Sequence, residues 1–181
     1  MILKSPVSPS ATTAQKVVHP SAEPTKTEVY IHIPKTAGTF IRNILVNKYG
    51  DVGYSYGTPP YTSLSRKSDR EIRAFKTRSL VIGHEDFYTF YALFGDSARY
   101  STLVRNPIDR LISYYNHVMN NFEGFKDRPV SLLRFLEGQK NFELDNLQVR
   151  YLCGKPRDQP VTRNDLDAAK SLIKNGTIEI G

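Results

Sequence analysis

Short apolar runs alternate with segments of helical periodicity along most of this chain. Runs rich in β-branched and aromatic residues, bounded by turn formers, predict strands at 28–33, 79–83, 99–104 and 177–180. Apolar residues at helical spacing predict helices at 39–48, 68–75, 87–94, 107–121, 130–137, 143–152 and 163–174. Strands that alternate with helices pair in parallel through right-handed crossovers, so the pattern predicts a three-layer α/β fold.

Capping signals mark where several of these helices begin. Ser68 with Glu71 has the spacing of a capping box, and so does Thr162 with Asp165. An asparagine at 106 followed by a proline is typical of an N-cap and a first helical residue. The helix that follows has five apolar residues at helical spacing, which predict its buried face: Ile108, Leu111, Ile112, Tyr115 and Met119.

Two segments lack any apolar period. Residues 1–27 are rich in Pro, Ser, Thr and Ala, which predicts a disordered leader before a domain at 28–181. Residues 50–63 are full of turn formers, which predicts a loop with three tyrosines. The stretch 65–78 has six basic and two acidic residues, and it is either a solvated face or a strip that binds a glycan or a phosphate.

Composition narrows the possible functions. One cysteine and four dispersed histidines exclude an intramolecular disulfide and the ligand spacing of a zinc site. No window approaches the roughly 18 apolar residues of a membrane span, and the N-terminus lacks the pattern of a signal peptide. We therefore expect a cytoplasmic protein, or a lumenal domain if an anchor has been removed. The formal charge of +7 predicts an anionic partner, such as a nucleotide, nucleic acid, phosphate, sulfated glycan or membrane surface.

The segment PKTAGTF follows the first predicted strand and opens a helix. Unpaired amides and the helix dipole favour an anion there, Lys35 adds a positive charge, and Gly38 allows the backbone to approach a ligand. The segment is not a Walker A loop, because Pro34 stands where that motif has a glycine. The alternative is an ordinary strand-to-helix turn with a solvated lysine.

The segment VRNPIDRLISYY follows the third predicted strand. The guanidinium fork of Arg105 is suited to bind a phosphate, and the hydroxyl of Ser113 is suited to add a hydrogen bond. Arg105 is equally compatible with no ligand at all. Arg110 is a second candidate, although Arg110 with Asp109 also fits a surface ion pair.

These two segments together resemble a known family. IHIPKTAGTFIRNIL resembles the 5'-phosphosulfate loop, and STLVRNPIDRLISYYNH the 3'-phosphate segment, of sulfotransferases that use 3'-phosphoadenosine 5'-phosphosulfate (PAPS). The resemblance is to the carbohydrate branch related to heparan sulfate 2-O-sulfotransferase and its bacterial relatives. It also includes ELDNLQVRYLCG, and covers about residues 28–181. It implies a P-loop-like parallel sheet flanked by helices. Family domains continue past the strand matched by TIEIG, so we expect C-terminal truncation.

The resemblance implies specific roles for the residues of both segments. Those that wrap the 5'-phosphosulfate would be Lys35, Thr36, Ala37, Gly38, Thr39 and Phe40. Arg105 and Ser113 would hold the 3'-phosphate. Family members often have a second glycine where Ala37 stands, and alanine suits the loop if its φ is negative.

His84, in IGHEDF, lies just past the second predicted strand. It matches a histidine that is the catalytic base in the 2-O-sulfotransferase branch, where a further histidine stands at the position of Ile82. A neutral imidazole is suited to take a proton from an acceptor hydroxyl, a contribution of roughly 10² to 10⁴ in rate. Glu85 is the substitute base, and a hydrogen-bonded strand-end histidine is the alternative without chemistry. His32 is interpreted as a core or loop-bracing residue.

The sequence therefore predicts a PAPS-dependent sulfotransferase that needs no metal. The product would be 3'-phosphoadenosine 5'-phosphate (PAP), and the acceptor a hydroxyl compound, preferentially a glycan. No nucleic acid beyond the nucleotide donor is expected as a partner. The alternative is a non-catalytic module of the same fold that binds a nucleotide or an anionic glycan. A nucleic-acid binder would suit the charge but lacks a recognisable motif.

Overall fold

Five parallel strands form the centre of the computed structural model, which describes residues 26–55, 64, 67–138 and 142–181. The strands are β1 (Thr27–Ile31), β2 (Val52–Ser55), β3 (Leu80–Gly83), β4 (Ala98–Thr102) and β5 (Ile178–Ile180), in the order β2-β3-β1-β4-β5. The four predicted strands and their parallel pairing are confirmed. The predicted leader, apart from its last two residues, lies outside the described residues, as do positions 56–63 of the predicted loop.

Strand β2 corrects the prediction of a loop over 50–63. It pairs in parallel with β3, with Val52 opposite Leu80 and Tyr54 opposite Ile82. A Cβ at Gly53 would lie 2.9 Å from the Phe75 ring, so the glycine allows the following helix to pack against this edge strand. Pairing with a buried neighbour overrides the turn propensity of the local sequence.

The helices alternate with the strands as predicted. They are α1 (Gly38–Tyr49), α2 (Asp69–Lys76), α3 (Phe87–Phe94), α4 (Pro107–Asn121), α5 (Glu123–Lys126), α6 (Leu132–Gly138), α7 (Leu147–Cys153) and α8 (Arg163–Lys174). Both capping boxes are formed, and the side chain of Asn106 caps α4. The short helix α5 was not predicted. None of the helices described here has the length and apolar composition needed to cross a membrane.

Alternate residues of the sheet pack into two separate apolar layers, which gives the predicted three-layer architecture. Val29, Ile31 and Val81 face α3, α7 and α8 in the larger core. Tyr30 and Ile82 face α1 in the smaller one. The alternation of β1 between the two cores is the period of two expected for a strand covered on both faces.

The buried face of α4 differs from the prediction. Ile108 and Ile112 are exposed, whereas Arg110 is only 3% exposed. Its guanidinium donates a hydrogen bond to the Glu143 carbonyl, and burial is the main cause of its lowered pKa. Arg110 is therefore not part of a surface ion pair with Asp109, but fixes α4 to the segment before α7.

The strand order creates a switch point beside β1. The chain leaves β1 toward β2 and β3 on one side, and then crosses to β4 on the other. In open parallel sheets, ligands bind beyond the carboxyl ends of the strands at such a point. The turns after β3, β1 and β4 are neighbours there.

Candidate functional site

Both predicted phosphate-binding turns lie at this switch point and touch each other. Nη1 of Arg105, after β4, donates a hydrogen bond to the backbone oxygen of Lys35, after β1, at 3.3 Å. Below them, the buried Thr102 hydroxyl donates to the Ile31 carbonyl at 2.7 Å and fixes the spacing of the two strand ends. The two cationic residues therefore lie side by side beyond the carboxyl ends of β1 and β4, and we call this region the cleft.

The charges of Lys35 and Arg105 are not compensated by acidic side chains. In the described ranges, neither residue forms an ion pair with a carboxylate. Burial lowers the pKa of the Lys35 ammonium, and the positive charge of Arg105 lowers it further. Two adjacent cations of this kind favour a bound anion, since an anion removes their mutual repulsion.

The loop before α1 has an unusual backbone. Lys35 and Ala37 have φ values of 70° and 68°. Alanine was expected to suit this loop if its φ was negative, but the φ of Ala37 is positive. A positive φ favours glycine, which is the residue that family members often have at this position. No side chain caps α1 and its first turn has no acidic residue. The N-terminus of α1 therefore has neither a side-chain cap nor an acidic residue of its own that would compete with a bound anion.

The other residues of this loop have distinct environments. The hydroxyl of Thr36 is buried and donates to the Ile33 carbonyl at 2.8 Å, which braces the turn. Thr39 and Phe40 are exposed in the first turn of α1. A ligand in the cleft could therefore contact the backbone of Thr36 and the side chain of Thr39.

Gly38 is explained by a neighbouring side chain. A Cβ at this position would lie 1.6 Å from Nε2 of His32. The glycine was expected to allow a ligand to approach the backbone, but in the structure the histidine ring occupies that space. Any larger residue at 38 would displace His32.

His32 and His84 form a pair at the carboxyl ends of β1 and β3. Nε2 of His84 lies 2.9 Å from Nδ1 of His32, and the rings meet edge to face. Burial lowers the pKa of His84 to about 4. Burial lowers the pKa of His32 to about 4 as well, with smaller contributions from the charges of His84, Arg42 and Lys35. Both rings are therefore neutral at pH 7. Sequence reasoning interpreted His32 as a brace and missed this pairing.

Glu85, the substitute base, accepts a hydrogen bond from the backbone. Its Oε1 accepts a hydrogen bond from the backbone amide of the fully buried Leu64 at 3.0 Å. The carboxylate therefore ties the segment before α2 to the turn that carries His84.

Arg105 is held by a residue that sequence reasoning did not single out. The side-chain amide of Gln148, on α7, accepts a hydrogen bond from the Arg105 amide at 2.7 Å and donates one to the Arg105 carbonyl at 2.8 Å. The available signal was the segment ELDNLQVRYLCG, whose resemblance was noted without a role for its glutamine.

Ser113, predicted to bind the 3'-phosphate, is half-buried in the second turn of α4. His117 is one turn later on the same face, and its pKa is lowered by burial and then by the charge of Lys35. The charge of Lys35, in the loop after β1, is thus close enough to act on this turn of α4.

Acidic, histidine and cysteine side chains are not clustered for metal binding in the part of the chain that the structure describes. No group of three or more is positioned there to hold a metal ion. Cys153 is partly buried, and burial is the main cause of its raised pKa.

Comparison with known proteins identifies the family. A model of the sulfotransferase family matches residues 22–159. Mouse sulfotransferase SULT7A1, solved in complex with PAP, has a similar fold, with a TM-score of 0.51 and 12% identity over 87% of this chain and 52% of that one. This chain therefore spans about half the length of the mouse protein. No curated protein matches it in sequence. Because the family match covers more than half of the 181 residues, the chain belongs to the sulfotransferase family.

Proposed function

We propose that this domain transfers the sulfuryl group of PAPS to an acceptor hydroxyl by in-line displacement, with His84 as the base. The observation that supports this proposal is the contact between Arg105 and Lys35, which joins the two turns predicted to bind phosphate. A ligand with phosphates at both ends, such as PAPS, would satisfy both uncompensated cations at once.

The residues of the cleft fit such a donor. Lys35 and the first amides of α1 would hold the 5'-phosphosulfate, with Thr36, Ala37, Gly38, Thr39 and Phe40 around it. Arg105 and Ser113 would hold the 3'-phosphate. When bound, PAPS supplies the sulfuryl group. Lys35 would then stabilise the negative charge that grows on the departing phosphate, because its ammonium is a positive charge in the loop that would hold that phosphate.

The base is assigned to His84 because its environment keeps the imidazole neutral. A ring with a pKa of about 4 is unprotonated at pH 7 and therefore has a lone pair for the proton of the acceptor hydroxyl. Glu85 is the less suitable base, because its carboxylate accepts the hydrogen bond from Leu64.

The acceptor is proposed to be a carbohydrate, as the resemblance to the heparan sulfate 2-O-sulfotransferase branch implies. The exposed side chains of Arg70, Arg73 and Lys76 recur every three residues on α2. In the described ranges none of the three pairs with a carboxylate. The helix begins shortly after Leu64, whose amide is hydrogen-bonded to Glu85, the residue that follows His84 in the chain. A polyanionic glycan would contact this face while its hydroxyl reaches the base.

The proposal is tested by calorimetric titration with PAP, followed by sulfate transfer from PAPS to glycan, lipid and phenolic acceptors. We expect PAP to bind one site and transfer to occur with a glycan. Failure of PAP to bind would contradict the donor site. Binding without transfer to any acceptor class would instead favour a non-catalytic module.

A further inference from the structure

We propose that His32 is a positioning residue for His84: its Nδ1 accepts a hydrogen bond from Nε2–H of His84 and fixes the tautomer in which Nδ1 of His84 receives the proton. This inference rests on the proposed function, since it assumes that His84 is the base. It adds a partner for that base, and assigns the nitrogen that each histidine uses.

The geometry requires one hydrogen between the two rings. The two nitrogen atoms are 2.9 Å apart, so one donates and the other accepts. If His32 donated, Nε2 of His84 would use its lone pair to accept, and the hydrogen of the neutral ring would be on Nδ1. Such a ring has no lone pair for the acceptor's proton. Catalysis by His84 therefore requires that His84 donate and His32 accept.

His32 is held firmly enough to fix the orientation of another ring. Its backbone amide donates to the Gly83 carbonyl at 2.8 Å, directly before His84. The ring of the buried Tyr30 stacks on it, with 6.1 Å between centroids. On another side it lies against Gly38.

The contact with Gly38 connects the base to the donor loop. Gly38 is the first residue of α1, the helix whose N-terminus would face the phosphosulfate. His32 therefore lies between that terminus and His84, and contacts both. A movement of the loop before α1 would therefore be transmitted to His84 through the ring of His32.

The proton balance of the step is simple. As the acceptor oxygen forms its bond to sulfur, the hydroxyl proton moves to Nδ1 of His84. The bond from sulfur to the bridging oxygen breaks, and its electron pair stays on the phosphate of PAP. His84 is then an imidazolium whose Nε2–H still bonds to the neutral His32, which lowers the energy of the charged ring.

The test uses the whole chain labelled with ¹⁵N-histidine, whose nitrogen shifts report the tautomer of each ring at neutral pH. We expect His84 of the wild type to carry its hydrogen on Nε2. His32→Leu removes the acceptor, so we expect mixed tautomers and a loss of kcat of about tenfold to a hundredfold, a size typical of lost orienting hydrogen bonds. His32→Asn places an amide oxygen near Nδ1, and should restore most of the loss.

PAP affinity separates positioning from a general structural effect. We expect the dissociation constant of PAP to change much less than kcat in both variants, because His32 only packs against Gly38 and neither substitution removes a group assigned to the phosphates. A parallel loss of PAP affinity and kcat in His32→Leu would overturn the inference.

The outcomes distinguish the inference from the function on which it rests. A wild-type His84 with its hydrogen on Nδ1 overturns the positioning role alone, and this result needs no variant to fold. If His84→Ala transfers sulfate at the wild-type rate, the base assignment fails, and the positioning role with it.

Discussion

At the scale of single residues, the loop after β1 combines backbone strain with concentrated positive charge. Ala37 and Lys35 both have positive φ, which costs a residue with a Cβ about 1–2 kcal/mol each. Such strain persists only where the surrounding structure fixes the backbone, and it is found most often at ligand sites. The loop is thus shaped before a ligand arrives, and part of the strain should be removable.

We expect Ala37→Gly to raise the free energy of unfolding by about 0.5–1 kcal/mol, because relief of strain exceeds the added entropy of the unfolded chain. Urea denaturation measures the change. The matched control is Ala74→Gly in α2, where the backbone is helical and glycine should lower stability by about 1 kcal/mol. Equal losses from both variants would show that Ala37 is not strained.

Lys35 should matter for turnover far more than other lysines. Loss of one preorganised donor to developing charge raises a barrier by about 2.7–4 kcal/mol, so Lys35→Ala should reduce kcat by roughly 10² to 10³. Steady-state rates with saturating PAPS measure this. Lys170→Ala on the exposed side of α8 is the control and should be neutral. Turnover of the Lys35 variant within tenfold of wild type would contradict its role.

The pKa of His84 predicts an unusual pH profile. Burial holds it near 4 in the folded state, against 6.5 for an ordinary histidine, so kcat/KM should stay constant from pH 7 down to about 5 and fall only toward pH 4. Stability responds earlier, because unfolded chains bind protons near pH 6.5 and the folded ring does not. The free energy of unfolding should therefore decrease as pH falls from 6.5 toward 4.

The control for this profile is Glu85→Gln, which keeps an oxygen for the Leu64 amide but removes the basic carboxylate. We expect it to retain both rate and profile. An acid limb near pH 6.5 in the wild type, or inactivity of Glu85→Gln, would contradict the assignment of the base.

Residue types and spacing predicted the ionisable residues of the candidate site but not their partners. Lys35, His84 and Arg105 were expected because each follows a strand. The pairing of His32 with His84 was missed, since it joins residues 52 positions apart and depends on β1 lying next to β3. The packing of His32 against Gly38 was not predicted either, because it depends on the conformation of the turn between them.

At the scale of elements, α7 fixes the start of α4. Gln148 forms both hydrogen bonds to the backbone of Arg105, and its helix is anchored through the buried Arg150, which bonds to Asp145 and to the Pro156 carbonyl. The arginine that would hold the 3'-phosphate thus owes its backbone position to a helix 43 residues away.

Loss of the two hydrogen bonds between Gln148 and the Arg105 backbone should weaken donor binding, although it removes no group assigned to the ligand. Two hydrogen bonds contribute about 1–2 kcal/mol together, so Gln148→Leu should raise the dissociation constant of PAP roughly fivefold to thirtyfold. Calorimetry measures it. Gln159→Leu, on the exposed segment after α7, is the matched control. An unchanged PAP affinity for Gln148→Leu would show that Arg105 needs no such support or does not bind PAP.

Periodicity and caps predicted most elements because those signals are local. The Ser68 and Thr162 boxes form as expected. Strand β2 and the buried face of α4 were not predicted correctly, because each depends on a distant part of the chain. Strand β2 pairs with β3. Arg110 of α4 donates a hydrogen bond to the Glu143 carbonyl. The strand order also could not be predicted from local sequence patterns.

At the scale of the whole molecule, positive charge is distributed between the cleft and the surface. The chain has a net charge of +7. The basic residues Lys35 and Arg105 lie at the switch point, and further basic residues lie on α2. Surface charges act over about 8 Å at physiological salt, whereas charges in a cleft are screened less. The two groups of cations should therefore serve different ligands.

Neutralising α2 tests this division. We expect the triple variant Arg70→Gln, Arg73→Gln, Lys76→Gln to keep its affinity for PAP, because the proposed donor site lies in the cleft and not on α2. Its KM for a sulfated or carboxylated oligosaccharide should rise several-fold, since each lost surface charge removes a salt-dependent contact with a polyanion. A neutral oligosaccharide acceptor is the control and should be unaffected. If PAP affinity falls as much as acceptor affinity, α2 belongs to the donor site; if neither changes, its positive charges are only solvated.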